Sequence, residues 1–187
     1  MQFRIAVAVV GIAIAGAATA QNDQNQGLST GVAVAPDGEA IGSTYTEETF
    51  GDWEKRCVRT QDGNDPCQMY QLITDTNGGS VAEMTIFPVP GNDQIVAGAT
   101  VITPLETLLT EAVTISIDGG QARRYPFTFC TVQGCVARIG LTNADLDAYR
   151  GGAAAQVRIV PAVAPDQEVR VDASLSGFTA AYEAITP

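Results

Sequence analysis

Four cysteines, a single lysine and no histidine make up the reactive inventory of this 187-residue chain. Cys130 and Cys135 stand five positions apart around the tetrapeptide TVQG, and Cys57 and Cys67 flank VRTQDGNDP. Three chemistries use cysteines at such spacings. A zinc site would need all four as converging thiolates, because there is no histidine to share the work, and the spacings lack the C-x₂-C knuckle. A thioredoxin-like redox pair wants C-x-x-C at the start of a helix. A staple needs only two strands brought opposite each other, and a turn between two strand-like runs does that. An even number of cysteines in an exported chain reads as disulfides. The local pairings Cys57–Cys67 and Cys130–Cys135 are favoured over the two crossed ones.

Other chemistry is hard to assemble. A Ser-His pair cannot exist without histidine, and bonded cysteines cannot attack. A Ser-Lys pair would have to use Lys55, and no S-x-x-K motif is present. Paired carboxylates could be drawn from 21 acidic residues, but most of these lie in turns and on polar faces. QDGNDP offers Asp62, Asn64 and Asp65 to calcium, and TDTNGG offers Asp75 and Asn77. Neither completes the twelve-residue calcium loop, and turns explain both. The residues therefore argue for no enzyme, no cofactor and no metal. Arg123 and Tyr125 alternate along ARRYPFTFC. They form a small basic, stacking-capable pair of partner-binding candidates that the alternation would place on one outer face.

The elements that must position these groups follow from the patterning. Residues 1–20 read as a signal peptide: Arg4, an apolar run from Ile5 to about Ala17, then Ala18-Thr19-Ala20. That run is too short to span a bilayer. Removing it takes the formal charge from −11 to −12 by loss of Arg4. With a pI near 4.2, nucleic acid and anionic membrane surfaces are excluded as electrostatic partners. Residues 21–48 lack a hydrophobic period and read as a flexible linker. From residue 49 to 187 the pattern is period two, in about nine short runs separated by turns, which predicts an antiparallel sandwich. Trp53 is expected in its core. Asp118-Gly119-Gly120 marks a hairpin turn. Two short helices are expected. LTNADLDAYRGG has Thr142 as N-cap, Asp145 three residues on and Gly151 at its stop. FTAAYEAI puts Phe178, Ala181, Tyr182 and Ile185 on one stripe.

Taken in order, several marks resemble the invasion associated locus B family of exported Gram-negative envelope proteins. They are Trp53-x₃-Cys57, Cys67 followed by Gln71, Pro104-Leu105 and Ile117-Asp118-Gly119. Pro126-Phe127-x₂-Cys130, Gly134-Cys135-x-Ala137 and Ser174-Leu175-x-Gly177-Phe178-x₂-Ala181 complete the set. Two places depart from the pattern: Glu106 after Pro-Leu, and Glu111-Ala112 ahead of the strand into Asp-Gly. Glycine is usual at both. The resemblance implies an immunoglobulin-like β-sandwich in the periplasm, with surface attachment or secretion as variants, and it names no catalytic residues. The function expected is a non-catalytic module that binds an envelope protein or surface component. A small-molecule or glycan binder is the alternative, and a carboxylate-based hydrolase is a third.

Overall fold

The computed structural model describes residues 29–186. The expected signal peptide, residues 1–20, and the first part of the expected linker lie outside the described residues. Eleven strands and two helices follow in order. They are β1 (Thr44–Phe50), β2 (Trp53–Val58), β3 (Cys67–Thr74), β4 (Ser80–Pro88), β5 (Ala97–Thr103), β6 (Val113–Ile117), β7 (Arg123–Tyr125), β8 (Phe127–Thr131) and β9 (Gly134–Leu141). Then come α1 (Asn143–Gly151), β10 (Ala154–Ile159), β11 (Val169–Ser174) and α2 (Phe178–Ile185). One sheet has the order β1-β2-β3-β4-β5-β9-β8 and the other β11-β10-β6-β7. All the pairings are antiparallel. The immunoglobulin-like antiparallel sandwich with two short helices is the observed architecture.

Alternation builds the core. Met84 and Ile86 of β4, Ala99 and Val101 of β5, and Ala137 and Ile139 of β9 turn inward from the large sheet. Val113 and Ile115 of β6 and Val157 and Ile159 of β10 meet them from the small one. Each fully buried aliphatic side chain contributes about 1.5–3 kcal/mol. One end is closed by aromatics. Trp53 is fully buried and meets Phe178 edge-on at 5.5 Å, while Tyr149 stacks on Phe178 at 5.3 Å. The Trp53 indole N–H donates to the Ser174 carbonyl at 2.9 Å. The Gln71 amide, only 5 % exposed, donates to the same carbonyl at 2.9 Å and to that of Asp52 at 3.1 Å. Gln71 thus clamps the end of β11 to the start of β2 through its amide N–H donors.

The helices match the sequence reading. Thr142 accepts from the Asp145 N–H and the Asp145 carboxylate accepts from the Thr142 N–H, a complete capping box. Phe178, Ala181, Tyr182 and Ile185 are the buried stripe of α2.

Three expectations need correction. The linker read as 21–48 ends early, because β1 begins at Thr44 and pairs with β2 from Thr44↔Val58 to Phe50↔Trp53. Before it, Val34 bridges Ala40, and Arg59 holds Asp37 at 2.7 Å. TYTEETF shows no hydrophobic period because it is a mostly exposed edge strand, recruited by the open ladder of β2. ARRYPFTFC is two strands in different sheets. Pro126 supplies no N–H, and there the chain leaves the small sheet as β7 and joins the large one as β8. Arg123 and Tyr125 do share a face, but it is the inner one. They stand opposite Ile115 and Val113, both buried.

The second departure from the family pattern has a physical cost. Ala112 adopts φ 57, ψ 169, a region that suits glycine and strains any residue with a Cβ. Ala112→Gly is therefore expected to raise stability by about 1 kcal/mol, the strain released exceeding the backbone entropy glycine adds. Urea unfolding of the two proteins checks this. Equal midpoints would mean the strain is absorbed elsewhere.

Candidate functional site

A concavity between α1 and the β6–β7 pair gathers four titratable side chains. It encloses about 240 Å³. Ile115 and Ile117 of β6 and Ala144 and Ala148 of α1 form its apolar wall, and Arg123, Tyr125, Asp145 and Tyr149 form its polar end. Strand alternation delivers Arg123 and Tyr125, and helical spacing delivers Asp145 and Tyr149, four residues apart on one face of α1. The Arg123 guanidinium pairs with the nearly buried Asp145 carboxylate. Asp145 is engaged on both oxygens, since Oδ2 also accepts from the Thr142 N–H at 2.9 Å and hydroxyl at 2.8 Å. Burial raises the Tyr125 phenol above its ordinary pKa, and more strongly the Tyr149 phenol, which also faces Tyr125 and Asp145. Sequence reasoning found Arg123 and Tyr125 but not Asp145 and Tyr149. The capping box showed one oxygen of Asp145 in use; the free one, and Tyr149 one turn on, were the available signal.

A second feature is the outer face of the large sheet. The register Leu72↔Glu83↔Ile102↔Val136↔Phe129 sets five residues in one row across β3, β4, β5, β9 and β8. Four are apolar. The row ends on β8, the last strand of the sheet, where Phe129 is 47 % exposed and the adjoining turn residue Val132 is 88 % exposed. A shallow hollow of about 230 Å³ lies along it between Leu72 and Ile102. A larger groove of about 630 Å³ runs beside Cys67, between Lys55, Phe87 and Ile185. Its lysine is held by Glu47 at 2.5 Å.

The cysteines fall as two neighbouring pairs. Cys57 stands opposite Cys67 on β2 and β3, with Cα atoms 4.0 Å apart and sulfurs 1.97 Å apart. Cys130 stands opposite Cys135 on β8 and β9, with Cα atoms 4.0 Å apart and sulfurs 2.08 Å apart. Among the described residues one trio, Glu47 with Cys57 and Cys67, brings metal-ligand atoms together. Sulfurs at bonding distance from each other supply no thiolate to it.

The acidic loops build turns. Asp65 accepts from the Thr60 N–H at 2.7 Å and from the Tyr45 hydroxyl at 3.0 Å. Hydrogen bonds from Asn64 and Thr60 lower the Asp62 carboxyl to about 2. Asp75 accepts from the N–H groups of Asn77 and Gly79, both at 2.8 Å. The Asp118 carboxylate accepts from the N–H groups of Ala154 and Ala153, which hold it below its ordinary value. Asp37, Glu54, Asp65 and Glu168 are displaced the same way. A general acid needs displacement upward.

A two-sheet antiparallel sandwich with a cysteine pair bracing a hairpin in each half of its sequence is the class this chain represents. Residues 53–186 match the family model described as Invasion associated locus B (IalB) protein, and the chain belongs to that family. It is 26 % identical over 145 residues to an invasion protein B homologue of Brucella abortus strain 2308, which covers 77 % of this chain and 81 % of that protein. The homologue of Brucella abortus biovar 1 strain 9-941 gives the same figures. The crystal structure of invasion associated protein B from Bartonella henselae shares the fold, with a TM-score of 0.61 at 22 % identity over 74 % of this chain and 92 % of the other. Among the described residues no helix is long and apolar enough to cross a membrane.

Proposed function

We propose that this protein is a non-catalytic envelope module, exported to the periplasm, that binds an extended segment of a partner protein along the open edge of β8. The observation that carries this is the apolar row that runs across the outer face of the large sheet and ends on that edge. Cys130 and Cys135 stand too close to be a hydrogen-bonded pair, so the N–H and C=O of Cys130 point away from β9 toward the open side. An added strand would take its main-chain hydrogen bonds there and lay alternate side chains on Phe129 and its row. The net charge of −11 favours a neutral or basic segment over an acidic one. Two local disulfides, Cys57–Cys67 and Cys130–Cys135, hold the two hairpins. The lack of histidine, the bonding of all four cysteines and the single lysine support the non-catalytic reading.

Phe129→Ala with Val132→Ala is expected to weaken capture of an envelope partner about tenfold or more, as loss of an exposed aromatic anchor does. The melting temperature should stay close to that of the parent, because both side chains are exposed. Arg124→Ala, on the outer face of the small sheet, is the control and should leave capture intact. Undiminished capture by the double variant would overturn the edge as the binding site. Turnover of a defined substrate, abolished by one Asp or Glu substitution, would overturn the non-catalytic reading.

A further inference from the structure

The pocket beneath α1 is a separate site, and its chemistry is lopsided. Tyr149 is 5 % exposed and lines the pocket, and its phenol hydroxyl takes no part in the side-chain hydrogen bonds of the described residues. Among the described residues Ser43 Oγ is the one fully buried side-chain oxygen without a partner, so the Tyr149 oxygen is open to the pocket rather than sealed in the core. The hydroxyl faces the pocket, in the neighbourhood of Tyr125, Asp145 and Arg123. Arg123 carries five N–H donors. It gives one to Asp145, and its half-exposed side chain leaves the others at the mouth. Asp145 already accepts three hydrogen bonds, one on Oδ1 and two on Oδ2, which leaves it little capacity for a ligand. The polar lining of the pocket therefore presents a guanidinium, which only donates, with two phenols and Gln121, which donate and accept.

The open N–H groups of Arg123 suit an acceptor-rich group. A carboxylate brings acceptors alone, and the planar guanidinium is its best partner. The rest of the lining, Ile115, Ile117, Ala144 and Ala148, is apolar and asks for a short hydrocarbon tail. A volume of about 240 Å³ lies below the range of about 300–1,000 Å³ that holds drug-sized ligands. We propose that this pocket binds a small carboxylate with a short apolar tail, its carboxylate taking the open N–H groups of Arg123 and the hydroxyl of Tyr149. The same chemistry occurs in a free aliphatic acid and at the C-terminus of a peptide ending in a small apolar residue. This site is independent of the β8 edge.

The test is a titration of ¹⁵N-labelled protein with hexanoate, its methyl ester, hexanol, and a short peptide ending in alanine with a free or an amidated C-terminus. Hexanoate or the free peptide should shift the amide signals of residues 121–125 and 144–149 saturably, and the tighter of the two identifies the source. The ester, the alcohol and the amidated peptide should not. Tyr149→Phe should weaken binding about tenfold, as loss of a hydrogen bond to a charged group does, without lowering the melting temperature. Arg123→Gln should abolish binding. Equal shifts from acid and ester, no saturable shifts in these residues from either carboxylate, or full affinity in Tyr149→Phe would each overturn the proposal.

Discussion

Replacing Gly177 with alanine is expected to cost about 3 kcal/mol or more, a large part of the roughly 5–15 kcal/mol that holds a domain of this size together. Two effects add. Gly177 is the N-cap of α2 at φ 84, ψ −2, a left-handed conformation that costs an L-residue about 1–2 kcal/mol. A Cβ there would also stand 2.0 Å from the Phe50 carbonyl oxygen and 2.4 Å from its carbon. These are backbone atoms of β1 and cannot rotate aside, so α2 must move. Phe178 follows Gly177 directly and is packed between Trp53 and Tyr149, so the displacement reaches the aromatic cluster. Trp53 is the only tryptophan, so its fluorescence reads the event without a label. Gly78→Ala is the control, since Gly78 has φ 82 with nothing within 4 Å. It should lose only the conformational part. Similar losses in both variants would show that the contact with Phe50 carries no weight.

The second large effect is expected from Cys57→Ala with Cys67→Ala. Releasing a loop with a separation of 10 residues should cost about 2–3 kcal/mol through the entropy returned to the unfolded chain. The pair Cys130→Ala with Cys135→Ala closes a separation of 5 and should cost less, by about 0.6 kcal/mol for a halved loop. Urea unfolding with and without reductant separates the two. Reductant should bring the parent down to the level of a variant lacking both pairs, and leave that variant unchanged. A parent insensitive to reductant would show that the sulfurs are not bonded in solution.

The parts legible in the sequence are those governed by neighbours along the chain. Alternation marked β2 to β6 and β9 to β11. Thr142 and Asp145 announced the start of α1, and the stripe from Phe178 to Ile185 gave the buried face of α2. What escaped depends on residues far apart. β1 is a strand because β2 lies beside it, and its own Thr and Glu side chains say nothing of that. Pro126 stands inside what reads as one run, and only the two-sheet arrangement makes it a corner. Gly177 was visible as a motif member, but its reason is Phe50, on the other side of the chain. The pocket was half visible. Alternation put Arg123 and Tyr125 on one face correctly, but which side of the sheet that face lies on is fixed by Ile115 and Val113 across the ladder. Tyr149 joins them only because α1 packs over that end.

Each cysteine pairs with the next one along the chain, 57 with 67 and 130 with 135. A polypeptide threaded N-terminus first into an oxidising compartment presents these thiols in that order. Cys57 then meets Cys67 after a hairpin's length of chain, well before Cys130 emerges. An oxidant that joins thiols as they appear makes the native bonds on the first attempt. Maturation of such a chain calls for a disulfide donor but no isomerase to reshuffle its products.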